Sequence, residues 1–272
     1  NFLAEEIEGR ADDELVPLEI ELIFRANDRQ AGAQEQEVRA AVIARGGAIV
    51  SRARLSDIAY HALLADVPVR AVREIIARNA GSIAGLDPVM HIRPQSLATS
   101  IEIDDASEVG AVPPQIELRE PILALLDGVP IAAHPLLARH VVLDDQFGLE
   151  PEAPVDQRVH GTAMASLIIH GDRNNPAPVL PRRIHVVPVM GAGDEFPRRR
   201  LVIDVIYLAV LAMREGQDAT APGVLIVNLS LGNSRRPFHL GLSPWARLLD
   251  RLAYRFGILF LVSAGNVKDL LG

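Results

Sequence analysis

The sequence predicts an α/β fold with a parallel sheet, preceded by a small α+β unit. Three observations carry this. Residues 17–95 read in the order βαββαβ, residues 96–118 form a polar, proline-bearing stretch, and from residue 119 onward short apolar strands alternate with helices. A length of 272 residues leaves room for one large domain or two smaller ones.

In the first unit, residues 18–24 alternate as a strand, with Ile20, Leu22 and Phe24 on one face. Residues 34–45 read as a helix with Val38, Ala41, Val42 and Ala44 apolar, closed by Gly46 and Gly47. Residues 48–55 and 58–67 read as strands joined at Ser56 and Asp57. Residues 69–79 read as a second helix, with Val72, Ile75 and Ile76 as its apolar stripe and Gly81 as its stop. Residues 82–92 read as a last strand, interrupted at Pro88. This is the ferredoxin-like split βαβ order. The stretch that follows carries Asp104 and Asp105 among Ser, Thr and Pro, and reads as a solvated linker rather than a cation site.

From residue 119 the strands are expected at 122–126, 184–190, 224–229 and 258–262. The helices are expected at 161–170, 201–215 and 244–256. Apolar strands alternating with helices indicate a parallel sheet.

Composition narrows the function. Hydrophobic residues make up 49% and aromatics 4%, so the chain folds, and aliphatic side chains fill its core. The net charge is −8, and no long Lys/Arg cluster occurs, Arg182 with Arg183 and residues 198–200 being short, which argues against nucleic acid as a partner. With no cysteine there is neither a disulfide nor a thiolate metal site. No apolar run reaches membrane-spanning length, and the acidic start lacks a signal-peptide core, so a soluble, cytoplasmic protein is expected.

Three segments carry chemistry, each at the carboxyl end of an expected strand or the start of a helix, the places that line the crevice of an open α/β sheet. Asp127-Gly128 follows the apolar run at 122–126, and a carboxylate there is placed to fix the tautomer of an imidazole. Taken alone, Asp-Gly is more often just a turn. His160-Gly161-Thr162-Ala163-Met164-Ala165-Ser166 opens a helix whose small residues allow close approach to the sheet. Ser263-Ala264-Gly265-Asn266 ends a strand in a carboxamide suited to donate to an oxyanion; taken alone, a Gly-Asn turn is the favoured reading.

In this order the three segments resemble the subtilisin-like (S8) serine proteases, whose triad runs Asp, His, Ser along the chain. His134-Pro135-Leu136-Leu137 after the aspartate belongs to the resemblance, as does Asn228-Leu229-Ser230-Leu231-Gly232 between the histidine and the asparagine. The family's spacer residue between Asp and Gly is missing here, and Leu136 replaces the usual Asp after His-Pro, so no calcium site is expected. The wording is nearest to a divergent intracellular bacterial branch and covers residues 119–272. The resemblance implies a partial subtilisin-like parallel-sheet sandwich in which Asp127, His160 and Asn266 are catalytic. Ser230, Leu231 and Gly232 would pair with a polypeptide substrate as an added strand, and Ser263, Ala264 and Gly265 would line the pocket before the scissile bond. It implies no cofactor and no metal. It also gives residues 17–95 a meaning as a propeptide-like domain lying over the cleft.

The family's nucleophile lies in Gly-Thr-Ser-x-Ala, and no Gly-Thr-Ser occurs in these residues. Ser166 and Ser230 stand in the wrong segments to replace it. The nucleophilic Ser is therefore expected beyond Gly272, and the chain alone is expected to be inactive. The alternative is a catalytically dead, subtilisin-like peptide-binding or regulatory module. Gly191-Ala192-Gly193 lacks the third glycine of a dinucleotide loop, and Asp194 and Glu195 would repel a pyrophosphate. His61, His91, His140, His170, His185 and His239 show no metal-ligand spacing and read as structural.

Overall fold

The structure, a computed structural model, describes residues 2–95, 116–172, 178–231 and 242–263. They divide into two compact units. One comprises residues 2–95, 198–204 and 242–248, and the other the remaining described residues.

The first unit begins with a short helix, α1 (Phe2–Glu6), and continues β1 (Leu15–Leu22), α2 (Asp28–Ala44), β2 (Ala48–Leu55), β3 (Tyr60–Pro68), α3 (Val69–Ile76) and β4 (Val89–Pro94). The sheet is antiparallel in the order β2-β3-β1-β4, the ferredoxin-like arrangement expected from the element order. Alternation along β1 sends Val16, Leu18, Ile20 and Leu22 into a core shared with Val38 and Val42 of α2 and Val69, Val72 and Ile75 of α3. On the strand's other residues, Glu19 and Glu21 are buried against Arg93 at 2.9 and 2.6 Å.

Four boundaries differ from expectation, each for a local reason. The pairing of β1 with β4 shifts register after Glu21, so Phe24 leaves the sheet and carries the Arg54 guanidinium 5.4 Å over its ring. Helix α2 starts at Asp28 rather than residue 34, because the Asn27 side chain caps it by accepting from the Gln30 N–H at 3.1 Å. Helix α3 stops at Ile76, and Arg78 turns left-handed at φ 55°. Residues 82–92 are not one strand. Ile83–Gly85 form a 3-10 turn that plants Ile83 in the core, and pairing resumes only after Pro88, at Val89.

In chain order the later elements are β5 (Leu123–Gly128), β6 (Val141–Leu143), α4 (Val159–His170), β7 (Ile184–Met190), α5 (Val202–Arg214), β8 (Ile226–Leu229), α6 (Pro244–Phe256) and β9 (Leu259–Val262). The five strands pair in parallel in the order β6-β7-β5-β8-β9. The strand β6, three half-buried residues long, is too short to leave a periodic signal. Ala165 and Ile169 of α4 pack on Leu125 of β5 and on Ile184 and Val186 of β7, all at most 1% exposed. Each buried Leu, Ile or Val among them contributes about 1.5–3 kcal/mol by leaving water.

The strand order fixes where a ligand belongs. After β5 the chain runs outward to β6, returns to β7 beside β5, and then crosses to β8 on the other side of β5. The strand β5 is therefore the topological switch point, and the crevice lies beyond its carboxyl end.

Candidate active site

Asp127 stands at that carboxyl end, fully buried. One carboxylate oxygen, Oδ1, accepts the Gly128 N–H at 2.6 Å and faces Nδ1 of His160 at 2.5 Å. The other oxygen, Oδ2, is buried without a partner among the described residues. His160 is itself 3% exposed, near the start of α4, and its Nε2 carries no hydrogen bond among the described residues. With the Nδ1 proton directed at the carboxylate, Nε2 is the free lone pair, which is the tautomer a general base requires.

Two residues next to the histidine set this distance. Gly161 allows α4 to touch the end of β5: a Cβ there would run into the Gly128 carbonyl oxygen and stand 3.1 Å from the Val129 carbonyl carbon. Thr162 fastens the same contact, its hydroxyl accepting the Ile131 N–H at 2.9 Å while donating to the Arg158 carbonyl at 2.5 Å. The string Gly161-Thr162 thus holds the start of α4, and His160 with it, against the end of β5.

Electrostatics follow from burial and pairing. The hydrogen bond to Asp127 raises the His160 pKa above its ordinary value against the opposing effect of burial, and the charges of Asp127 and Asp194 add to the rise. Burial pushes the Asp127 carboxyl up, while the bonds it accepts from His160 and Gly128 oppose this.

The remaining expected site residues lie along the same carboxyl edge where they are described. Leu125 pairs with Asn228, so Asp127 and Ser230 each stand two residues further along neighbouring strands. The Ser230 hydroxyl accepts from the Asn228 side-chain amide at 2.7 Å, and Leu231 is buried. Ser263 follows β9 and donates its N–H to the Leu229 carbonyl at 3.2 Å. Gly232, Ala264, Gly265 and Asn266 lie outside the described residues, as do residues 96–115 of the expected linker. No group of three or more metal-ligating side chains occurs among the described residues.

Among the described residues, His140, His170 and His185 go to framework contacts, and His239 lies outside the described residues. His185 faces Asp144 at 3.1 Å, and the Thr220 hydroxyl donates to the same carboxylate at 2.7 Å. The His170 Nε2 lies 3.0 Å from the Leu136 carbonyl oxygen, and its ring meets His140 edge-on. A residue the motifs do not mark is Asp194, which is buried beside Gly128 after β7. In the sequence it is visible as the acidic residue that follows Gly191-Ala192-Gly193.

A carboxylate–imidazole pair at the switch point of a parallel sheet defines an α/β fold arranged for acid–base chemistry. The chain belongs to the subtilase family, peptidase S8, which matches residues 119–271. Among solved structures it is similar to the prenylagaramide maturation protease PagA, at 23% identity and a TM-score of 0.35 over 53% of this chain and 45% of that one. It is also similar to the patellamide maturation protease PatA, at 23% identity and a TM-score of 0.36 over 56% of this chain and 50% of that one. The chain therefore spans about half the length of these structures. No curated protein matches it. Among the described residues no helix is long and apolar enough to cross a membrane.

Proposed function

We propose that this chain is part of a subtilisin-type serine endopeptidase. His160 takes the proton of a serine hydroxyl through Nε2 as that oxygen attacks the scissile carbonyl, and returns it to the leaving amine. Asp127 holds the ring in the Nδ1–H tautomer and stabilises the imidazolium. Asn266 donates to the oxyanion, a role whose loss costs about 10²–10³ in turnover in subtilisin. The nucleophile comes from a Gly-Thr-Ser-x-Ala segment outside this sequence. The polypeptide substrate lies as an added strand along Ser230, Leu231 and Gly232, and its side chain before the cleaved bond enters a pocket of Ser263, Ala264 and Gly265.

The observation that carries this reading is the 2.5 Å contact between Asp127 Oδ1 and His160 Nδ1 at the switch point of the sheet, with Nε2 left for chemistry. A fluorophosphonate probe applied to the full-length protein tests it. Covalent labelling of one serine, abolished in His160→Ala, is expected. A folded full-length protein that takes no label identifies a dead, peptide-binding member instead. The 272-residue chain alone is expected to hydrolyse no peptide bond.

Residues 17–95 act in this proposal as a propeptide-like inhibitory domain. Their βαββαβ order and β2-β3-β1-β4 sheet support that role. Deleting them from the full-length enzyme is expected to raise its initial activity or impair its folding; a deletion with neither effect removes the role. The absence of cysteine supports work in a reducing, cytoplasmic compartment.

A further inference from the structure

The loop after β7 places a second carboxylate beside the pair. Asp194 is 7% exposed and takes a left-handed backbone at φ 55°, directly after Gly193 at φ 64°. Two consecutive left-handed residues are uncommon, and Asp is among the few side chains that tolerate the region. The turn is closed by the Asp194 N–H donating to the Gly191 carbonyl at 3.2 Å and the Gly191 N–H donating to the Glu195 carbonyl at 2.9 Å. Phe196, 5% exposed, buries the chain on its far side. The conformation is therefore held from both ends and delivers the Asp194 carboxylate inward.

It delivers it to one place. A Cβ on Gly128 would stand 2.6 Å from Asp194 Oδ1 and 3.8 Å from its Cγ, and 3.7 Å from the Gly161 nitrogen. The Asp194 carboxylate thus occupies the room that a side chain directly after Asp127 would need, at the point where α4 and β5 touch. It makes no side-chain hydrogen bond among the described residues. From β5 it faces Asp127, from α4 it faces His160, and the neighbouring turn Val155–Gln157 contributes Asp156, which is exposed. Arg158, next to the site in sequence, is turned away to the Glu150 side chain and to the Glu150 and Ala153 carbonyls.

We propose that Asp194 is a positioning residue of the protease reaction: its carboxylate fills the space beside Gly128 and acts on the His160 imidazole as a second negative charge. This rests on the reading of His160 as the general base. The missing spacer between Asp127 and Gly128 is then exchanged for a residue from another loop. The glycine removes a side chain at 128, and Asp194 supplies both the bulk and a charge. The consequence is a more basic imidazole than Asp127 alone would give, in line with the contributions that both aspartates make to His160. A general base shifted this way is active over a higher pH range.

The test is an NMR titration of the His160 imidazole in the 272-residue chain and in three variants. In the unaltered chain the midpoint is expected above the ordinary 6.5. Asp194→Asn keeps the shape and tolerates the left-handed turn, and is expected to lower the midpoint by about half a pH unit or more. Gly128→Ala is an independent way to displace the carboxylate and is expected to lower the midpoint in the same direction. Asp127→Asn is expected to lower it most. If Asp127→Asn moves the midpoint but neither Asp194→Asn nor Gly128→Ala does, the role of Asp194 is wrong and the protease reading stands. A midpoint unmoved by Asp127→Asn removes the pair itself, and the protease reading with it.

Discussion

The backbone of Gly161 lies directly against that of Gly128: a Cβ at residue 161 would stand 2.7 Å from the Gly128 carbonyl carbon. Nothing on the far side of this contact is a side chain that can swing away. Gly161→Ala is therefore expected to push the start of α4 off the end of β5, destabilising the chain by about 1–3 kcal/mol and lengthening the His160–Asp127 hydrogen bond. Denaturant unfolding reads the first effect and the far-downfield Nδ1–H proton resonance of His160 the second. An unchanged resonance at unchanged stability would contradict the account.

Thr162 is expected to matter through its hydroxyl alone. Thr162→Val keeps the shape but leaves the Ile131 N–H and the Arg158 carbonyl without their side-chain partner. A loss of about 1–2 kcal/mol follows, and Thr162→Ser should recover most of it. Equal stability of the Val and Ser variants would show that the bonds contribute nothing.

Core and surface leucines should separate cleanly. Leu125 is fully buried in the central strand, whereas Leu167 on α4 is 54% exposed. Leu125→Ala is expected to cost about 2–5 kcal/mol and Leu167→Ala within about 0.5 kcal/mol. Chemical denaturation of the two variants side by side is sufficient to check this.

The first unit should lose stability in acid. Burial lowers the His61 pKa, and its ring faces Glu35 at 3.0 Å. Burial alone would raise the Glu35 carboxyl, but the bonds from Arg52 and His61 outweigh it and hold the group below its ordinary value. Both groups bind protons more readily when unfolded, so stability is full above the unfolded histidine value of 6.5 and falls as the pH drops below it. Glu35 adds its loss below 4.5. The urea midpoint should decline from pH 7.5 to 5.5, and His61→Gln should flatten that decline. A midpoint that rises over this interval would reverse the sign.

In the full-length enzyme Asp127→Asn should preserve the fold while lowering kcat by about 10⁴, because the amide no longer enforces the productive tautomer. Steady-state kinetics on a peptide substrate, with circular dichroism to verify folding, decide the matter. A loss below tenfold would leave Asp127 without the orienting role.

Much of the architecture was legible because it rests on local periodicity. The alternation along β1, the stripe Val72-Ile75 and the apolar runs of β5 and β7 each record a buried face, and a buried face leaves its period in the chain. What escaped lacked a period. The strand β6 is three residues long, the start of α2 depends on one capping amide from Asn27, and Ile83 enters the core from a turn. The pairing of Asp127 with His160 was readable only through the order of the motifs, since 33 residues separate the two groups.

By itself the sequence determined the kind of elements, their succession, and the presence of an aspartate and a histidine flanked by small residues. Those properties reside in neighbouring side chains and their preference for water or its absence. Only the tertiary structure decided that β5 lies at the centre of its sheet, that Gly128 and Gly161 meet backbone to backbone, and that Asp194 fills the room beside Gly128. Such facts depend on which strands pair and how closely distant segments approach, and steric exclusion between residues far apart in the chain leaves no mark on the neighbours of either.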